Sequence, residues 1–266
     1  MQSEAYKLTG FTAVASAMGF LLRWLQNMQI LEPETGLSVS GKPISYIVAA
    51  MIVLMAGGLF AITWAMRRCD APTEPEQALE GKTFLYTVIC IVPALCMAVA
   101  GMMILLMAWP ARQAVIWRMC GVSTLLGAAG VLLVAMNLKN PEKGGAKRLG
   151  MCLLILFGAM WLIAEYKSAA SDPVVWRFAV EMLAICAALM AFYYITGYCF
   201  GEPNPRGAVL FCYLGAFLCV MSAVDEHSLA ESLLYAGTAI LLFAWGYALV
   251  SNMRREPDAA VREAAS

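Results

Sequence analysis

Charge is scarce in this chain. Lysine, arginine, aspartate and glutamate make up 14% of its 266 residues, against roughly 25% in a soluble domain. Acidic and basic groups balance to zero net charge, which leaves no basic footprint for nucleic acid. Histidine is rarer still. His227 is the single one, and that excludes bis-histidine haem ligation and histidine-rich zinc sites. Nine cysteines occur, at 69, 90, 96, 120, 152, 186, 199, 212 and 219, but none forms a CxxC pair. Most lie in apolar runs, where cysteine acts as a small hydrophobe. Neither a disulfide framework nor a thiolate metal site is expected. The chain also lacks a P-loop, a GxSxG elbow, an HExxH pair and an N-x-S/T acceptor. No catalytic residue, metal or cofactor is expected from these patterns, and an enzyme is the least favoured class.

What the chain has is apolar length. It is 62% hydrophobic, and eight runs approach the roughly 20 residues that a helix needs to cross a bilayer. Eight such spans consume about 160 residues, too many to leave room for a soluble catalytic domain. The expectation is an all-α, polytopic membrane protein with spans near Leu8–Ile30, Ile44–Met66, Phe84–Trp109, Ala114–Met136, Leu149–Ala169, Val174–Phe200, Ala208–Val224 and Leu229–Ser251. Each run reads as apolar all round, which a soluble bundle could not tolerate on its outer faces. The leader MQSEAYK is scarcely basic, so the first run is read as a span and not as a signal peptide. Separators carry turn residues: Glu-Pro-Glu-Thr-Gly at 32–36, Gly-Lys-Pro at 41–43, Asn-Pro-Glu-Lys-Gly-Gly at 140–145 and Glu-Pro-Asn-Pro at 202–205. Pro93 falls inside the third span and removes one helical hydrogen bond there.

Lysine and arginine orient the threading. Twelve of them, Lys7, Arg67, Arg68, Lys82, Lys139, Lys143, Lys147, Arg148, Arg206, Arg254, Arg255 and Arg262, fall on one side. The other side holds Lys42, Arg112 and Lys167, with Arg23, Arg118 and Arg177 just inside flanking helices. Both termini are therefore expected in the cytoplasm, in a cell membrane. Trp24, Trp109, Trp117, Trp161 and Trp176 fall near span ends on the opposite side, as an interfacial belt would.

Weak ordered matches relate the two halves. STLLGAAGVLLVAM from Ser123 parallels SLLYAGTAILLFAW from Ser232, and Ala-Leu-Cys-Met in the third span parallels Phe-Leu-Cys-Val in the seventh. Four spans per half would make this a parallel repeat. The expected division is a membrane half at 1–136, a second at 149–253, and a cytoplasmic polar tail at 254–266 without regular structure.

The candidate site is read from charges inside the spans. Glu181 lies about eight residues into the sixth span, roughly 10–12 Å deep, where an ionisable group is costly and is by default a functional hypothesis. Arg177 sits one turn away on the same face. Arg23, Arg118, Glu165, Asp225, Glu226 and His227 share that end of the bundle, with Glu231 nearby. Together they are expected to line an outward-facing vestibule. At the other end, Tyr193, Tyr194 and Tyr198 read as an aromatic belt before a ligand pocket. The partners implied are the lipid bilayer, a small-molecule ligand, and a membrane or cytoplasmic protein. The function expected is small-molecule transport or binding within the bundle. The alternative is a non-transporting subunit that acts as sensor, regulator or assembly factor.

Overall fold

The computed structural model describes residues 2–30, 43–66, 69–70, 72–80, 84–110, 113–138, 140–170, 175–225 and 227–255. Eight long helices cross the molecule: α1 (Gln2–Ile30), α2 (Pro43–Ala65), α4 (Phe84–Leu106), α5 (Ala114–Asn137), α6 (Gly144–Ala169), α7 (Val175–Phe200), α8 (Pro205–Ser222) and α9 (Leu229–Asn252). A four-residue helix, α3 (Pro75–Ala78), lies between α2 and α4. All eight long helices have the length and composition to span a membrane. The chain is an all-α, multi-pass membrane protein.

Local chemistry sets the helix ends. Helix α4 stops at Leu106, short of Trp109, because Pro110 pushes the residue before it out of the helical region. The Trp109 indole then donates to the freed Ile104 carbonyl at 2.9 Å. Helix α7 ends where Gly201 takes φ 84° and the Glu202 N–H reaches back to the Gly197 carbonyl at 2.9 Å. This is a Schellman closure, with Pro203 following it. Helix α8 begins at Pro205, three residues before its apolar run. Asn204 caps it by accepting from the Gly207 N–H at 3.0 Å, and proline suits the first helical position.

Helices α4 to α9 pack in chain order, each against the next, and α9 closes the set by lying along α4. Helices α8 and α9 are the most deeply buried of the eight. Helices α1 and α2 sit at the periphery, α1 on α8 and α9, and α2 on α8 and α1. One buried apolar cluster runs from Ala5 to Met253 through both halves of the sequence. This packing lends no support to the expected duplication. In the second half α7 lies along α8, whereas α2, the helix matched to α7, has α1 and α8 as its neighbours.

Helix α1 departs from the expectation of an all-round apolar span. Thr12, Ser16, Gly19, Arg23 and Gln26 recur at spacings of three and four, and all are buried against the bundle. Thr9, on the same stripe, hydrogen-bonds the Tyr213 hydroxyl at 2.7 Å. The Thr12 and Ser16 hydroxyls donate to the carbonyls of Leu8 and Thr12. Phe11, Val14, Met18, Leu21 and Met28 face outward. In lipid there is no penalty for an apolar outer face, so the polar stripe turns inward.

Glycine brings α5 and α6 together. A Cβ at Gly130 would stand 2.5 Å from the Gly150 carbonyl oxygen, and one at Gly150 would stand 2.7 Å from that of Gly130. Only backbone fits at this crossing.

At the end of the bundle that carries the N-terminus of α1, Lys147 pairs with Glu76 and donates to the Asn140 carbonyl. Asn252 donates to the Ala78 and Glu80 carbonyls at 3.1 and 2.9 Å. Arg254 and Arg255, assigned to the polar tail from sequence, instead pair antiparallel with Asp70 and Cys69. Residues 256–266 lie outside the described residues.

Candidate functional site

The opposite end, where α8 turns into α9, gathers the polar side chains. Helix α1 supplies Arg23, which is 3% exposed. Its guanidinium donates to both oxygens of Asp225, from Nε to Oδ1 at 2.8 Å and from Nη2 to Oδ2 at 3.1 Å. Arg23 Nη1 donates to Gln26 Oε1 at 2.9 Å. Asn27, one turn on from Arg23, donates to Asp225 Oδ1 at 2.7 Å. A planar fork meeting a carboxylate edge-on is the strongest pairing available to two buried charges. It ties peripheral helix α1 to the α8–α9 turn.

His227 lies two residues after Asp225. Its N–H bonds to the Asp225 carbonyl at 2.7 Å, and its ring Nε2 lies 3.1 Å from the Ser222 carbonyl. A carbonyl can only accept, so Nε2 carries the ring proton in this arrangement. The ring stacks on Tyr235 at 4.9 Å between centroids. Glu181 Oε1, from the second turn of α7, lies 3.8 Å from Nε2. Glu231 Oε2 lies 3.9 Å from Nδ1. Both separations exceed a direct hydrogen bond.

Glu231 has a structural duty as well. With Ser228 it forms a capping box at the start of α9: its carboxylate accepts from the Ser228 N–H at 2.8 Å, and its own N–H bonds to Ser228 Oγ at 3.3 Å. The signature Ser-Leu-Ala-Glu is visible in the sequence.

Below His227 the cluster becomes aromatic. Tyr235 packs against Trp161 at 4.8 Å between rings, and Trp161 stacks on Phe157 at 5.5 Å. Glu165, one turn after Trp161 on α6, is buried at 4% exposure. The carboxylates of Glu165, Glu181 and Glu231 all lie within electrostatic reach of the Tyr235 hydroxyl. Glu165 Oε1, Trp161 Nε1 and the Tyr235 hydroxyl lack a hydrogen bond of good geometry among the described residues, although the Trp161 indole lies close enough to Glu165 to act on its carboxyl group. Unsatisfied buried polar atoms are uncommon and call for an explanation.

Of the residues expected at the site, the structure brings Arg23, Glu165, Glu181, Asp225 and His227 to one end. Glu181 faces the bundle interior at 3% exposure. Among the described side chains the basic group beside it is His227; Arg23 is committed to Asp225, and Arg118 is exposed on α5. The Arg177 side chain and Glu226 lie outside the described residues. Two members of the expected tryptophan belt are core residues. Trp117 stacks on Trp109 at 4.3 Å and donates to Ser168 Oγ at 3.0 Å, and Trp161 has no exposed surface. The Ser168 hydroxyl satisfies the Trp117 N–H inside the bundle, and Trp161 is held by the rings of Phe157 and Tyr235. Trp24, at 44% exposure, remains belt-like.

Among the described residues a cleft of about 210 Å³ lies at the far end, among Thr63, Pro72, Pro203, Arg206 and Met253. Tyr193 there is exposed, and Tyr194 stacks on Phe211 at 5.6 Å. Compared with known protein families, with curated proteins and with solved structures, the chain finds no match.

Proposed function

We propose that this protein binds a small cation inside its helix bundle, at the α8–α9 end, in a cell membrane with both termini in the cytoplasm. The observation that carries this reading is Glu165. It is a buried carboxyl group with an unsatisfied oxygen, beside the equally unsatisfied Trp161 and Tyr235. Around it stand Glu181, Glu231 and Asp225, and Arg23 is the one arginine or lysine among the described side chains of the cluster. Asp225 is paired with Arg23 and Glu231 belongs to the capping box, whereas a buried carboxylate oxygen that lacks a donor of good geometry, as in Glu165, costs several kcal/mol. A positive ligand offsets that cost.

Size narrows the ligand. The unsatisfied atoms are out of reach of water, so an organic molecule has no space beside them. A proton or a bare ion is the smallest positive ligand. A transport role requires a path to this end through the bundle. The Arg23–Asp225 pair is the natural latch, because it joins α1 to the turn.

Thermal melting of the purified protein in micelles, with Na+, K+, Mg2+, Ca2+, Mn2+ and varied pH at constant ionic strength, tests this reading. One cation should stabilise saturably, by about 2.7 kcal/mol at a hundredfold excess over its Kd. Glu165→Gln should fold and lose that gain. No stabilisation by any cation, or an undiminished response in Glu165→Gln, overturns the proposal.

A further inference from the structure

Glu181, Asp225 and His227 present donor atoms that all lie within 4.8 Å of one another. We propose that they form a binding site for a first-row divalent transition-metal ion of the Mn2+ or Fe2+ type. This rests on the cation-binding reading and gives the class of cation.

The spacing suits a single ion. With metal–ligand bonds of about 2.0–2.2 Å, two donors on one ion stand roughly 3–4.4 Å apart. Glu181 Oε1 and His227 Nε2 are 3.8 Å apart. The Ser222 carbonyl, 3.1 Å from Nε2, stands at the distance of an adjacent fourth ligand.

The surroundings are those of a supported ligand shell. Asp225 Oδ1 receives two donors, Arg23 Nε and Asn27 Nδ2, which fill its lone pairs. Oδ2 receives one, Arg23 Nη2, and keeps a lone pair for the ion. The guanidinium thus orients the carboxylate and leaves one oxygen able to ligate. Stacking on Tyr235 holds the imidazole. An ion at Nε2 displaces that proton and requires the Nδ1–H tautomer. Nδ1 faces Glu231 Oε2 at 3.9 Å, and an approach of roughly half an ångström or more would give the carboxylate–histidine–metal hydrogen bond of an outer shell. Glu231 is itself held by the capping box.

The donor chemistry selects the ion. Two carboxylates, one imidazole and a carbonyl offer oxygen and nitrogen without sulfur. Thiolate-bound zinc and copper(I) are disfavoured, and a mixed imidazole–carboxylate set suits Mn2+ or Fe2+.

Mn2+ is the probe. The full-length protein, purified in micelles without a polyhistidine tag, is titrated with Mn2+ and followed by electron paramagnetic resonance. Because His227 is the only histidine, a directly coordinated imidazole gives a 14N modulation of the echo that has one possible source. The expected result is one bound Mn2+ with that modulation, which disappears when histidine alone is labelled with 15N. His227→Ala should weaken binding by at least about tenfold, and Glu181→Gln should weaken it while keeping the 14N signal. The isotope experiment needs no substitution and stands even where a variant does not fold. Absence of bound Mn2+, or bound Mn2+ without imidazole coupling, overturns the metal site. In that event, Glu165-dependent stabilisation by another cation leaves the broader reading standing, and no stabilisation by any cation removes both.

Discussion

Breaking the Arg23–Asp225 pair is the perturbation whose size follows most directly from the structure. Both side chains are buried, at 4% and 3% exposure. Arg23→Met strands a carboxylate, and Asp225→Leu strands a guanidinium. Removing one partner of a buried ion pair costs about 3–5 kcal/mol, because the survivor keeps its desolvation penalty without its counter-charge. The double variant removes both charges at once, and apolar replacement of a whole pair is often neutral or stabilising. Here Asn27 and Gln26 also lose partners, each at about 1–3 kcal/mol. The double variant should therefore fall clearly short of the sum of the two single losses, with a coupling energy of at least about 1–3 kcal/mol. The assay is equilibrium unfolding in mixed micelles under increasing SDS, followed by circular dichroism, for all four proteins of the cycle. Single losses below about 1 kcal/mol, or strict additivity in the double variant, would refute the pairing as a buried, mutually dependent contact.

Other consequences are simpler. Gly130→Ala places a methyl group against the Gly150 carbonyl and should cost about 1–3 kcal/mol by overpacking, while Gly145→Ala, with open space around it, should leave the unfolding midpoint unchanged or raised. Ser228→Ala removes the cap of α9 and should cost about 1 kcal/mol, measured by the same SDS titration; Glu231→Gln keeps the cap competent and should cost less. In a background with its native cysteines replaced, single cysteines introduced at Gly144 and Ser228 should label from opposite faces of the membrane, and labelling from the same face would contradict the threading.

The spans were legible because length and apolar composition decide them, and because Pro110, Gly201 and Pro205 punctuate their ends. Glu181 was legible because an acid at that depth has no ordinary explanation. The Ser228–Glu231 capping box is present in the sequence as a spacing of three before an apolar run. The stripe on α1 was also present, at Thr9, Thr12, Ser16, Gly19, Arg23 and Gln26, but average hydropathy hides it under the apolar residues between. Its discovery needed a count at helical period. The meeting of Arg23 with Asp225 was not legible. They are 202 positions apart, and which helices become neighbours is decided by packing surfaces such as Gly130 against Gly150. Trp161 and Trp117 were misassigned for the same reason: position along a helix places a residue near an interface, but only helix rotation decides whether it meets lipid or core.

The central claim is that carboxylates at the α8–α9 end receive a cation. Ion-exchange-induced infrared difference spectroscopy on the reconstituted protein observes those groups directly, through the carboxylate stretching bands. The account predicts that perfusion with the stabilising cation shifts these bands saturably, and that Glu181→Gln and Glu165→Gln each remove part of the shift. Carboxylate bands that do not respond to any cation, or whose response in both variants equals that of the unsubstituted protein, would contradict it.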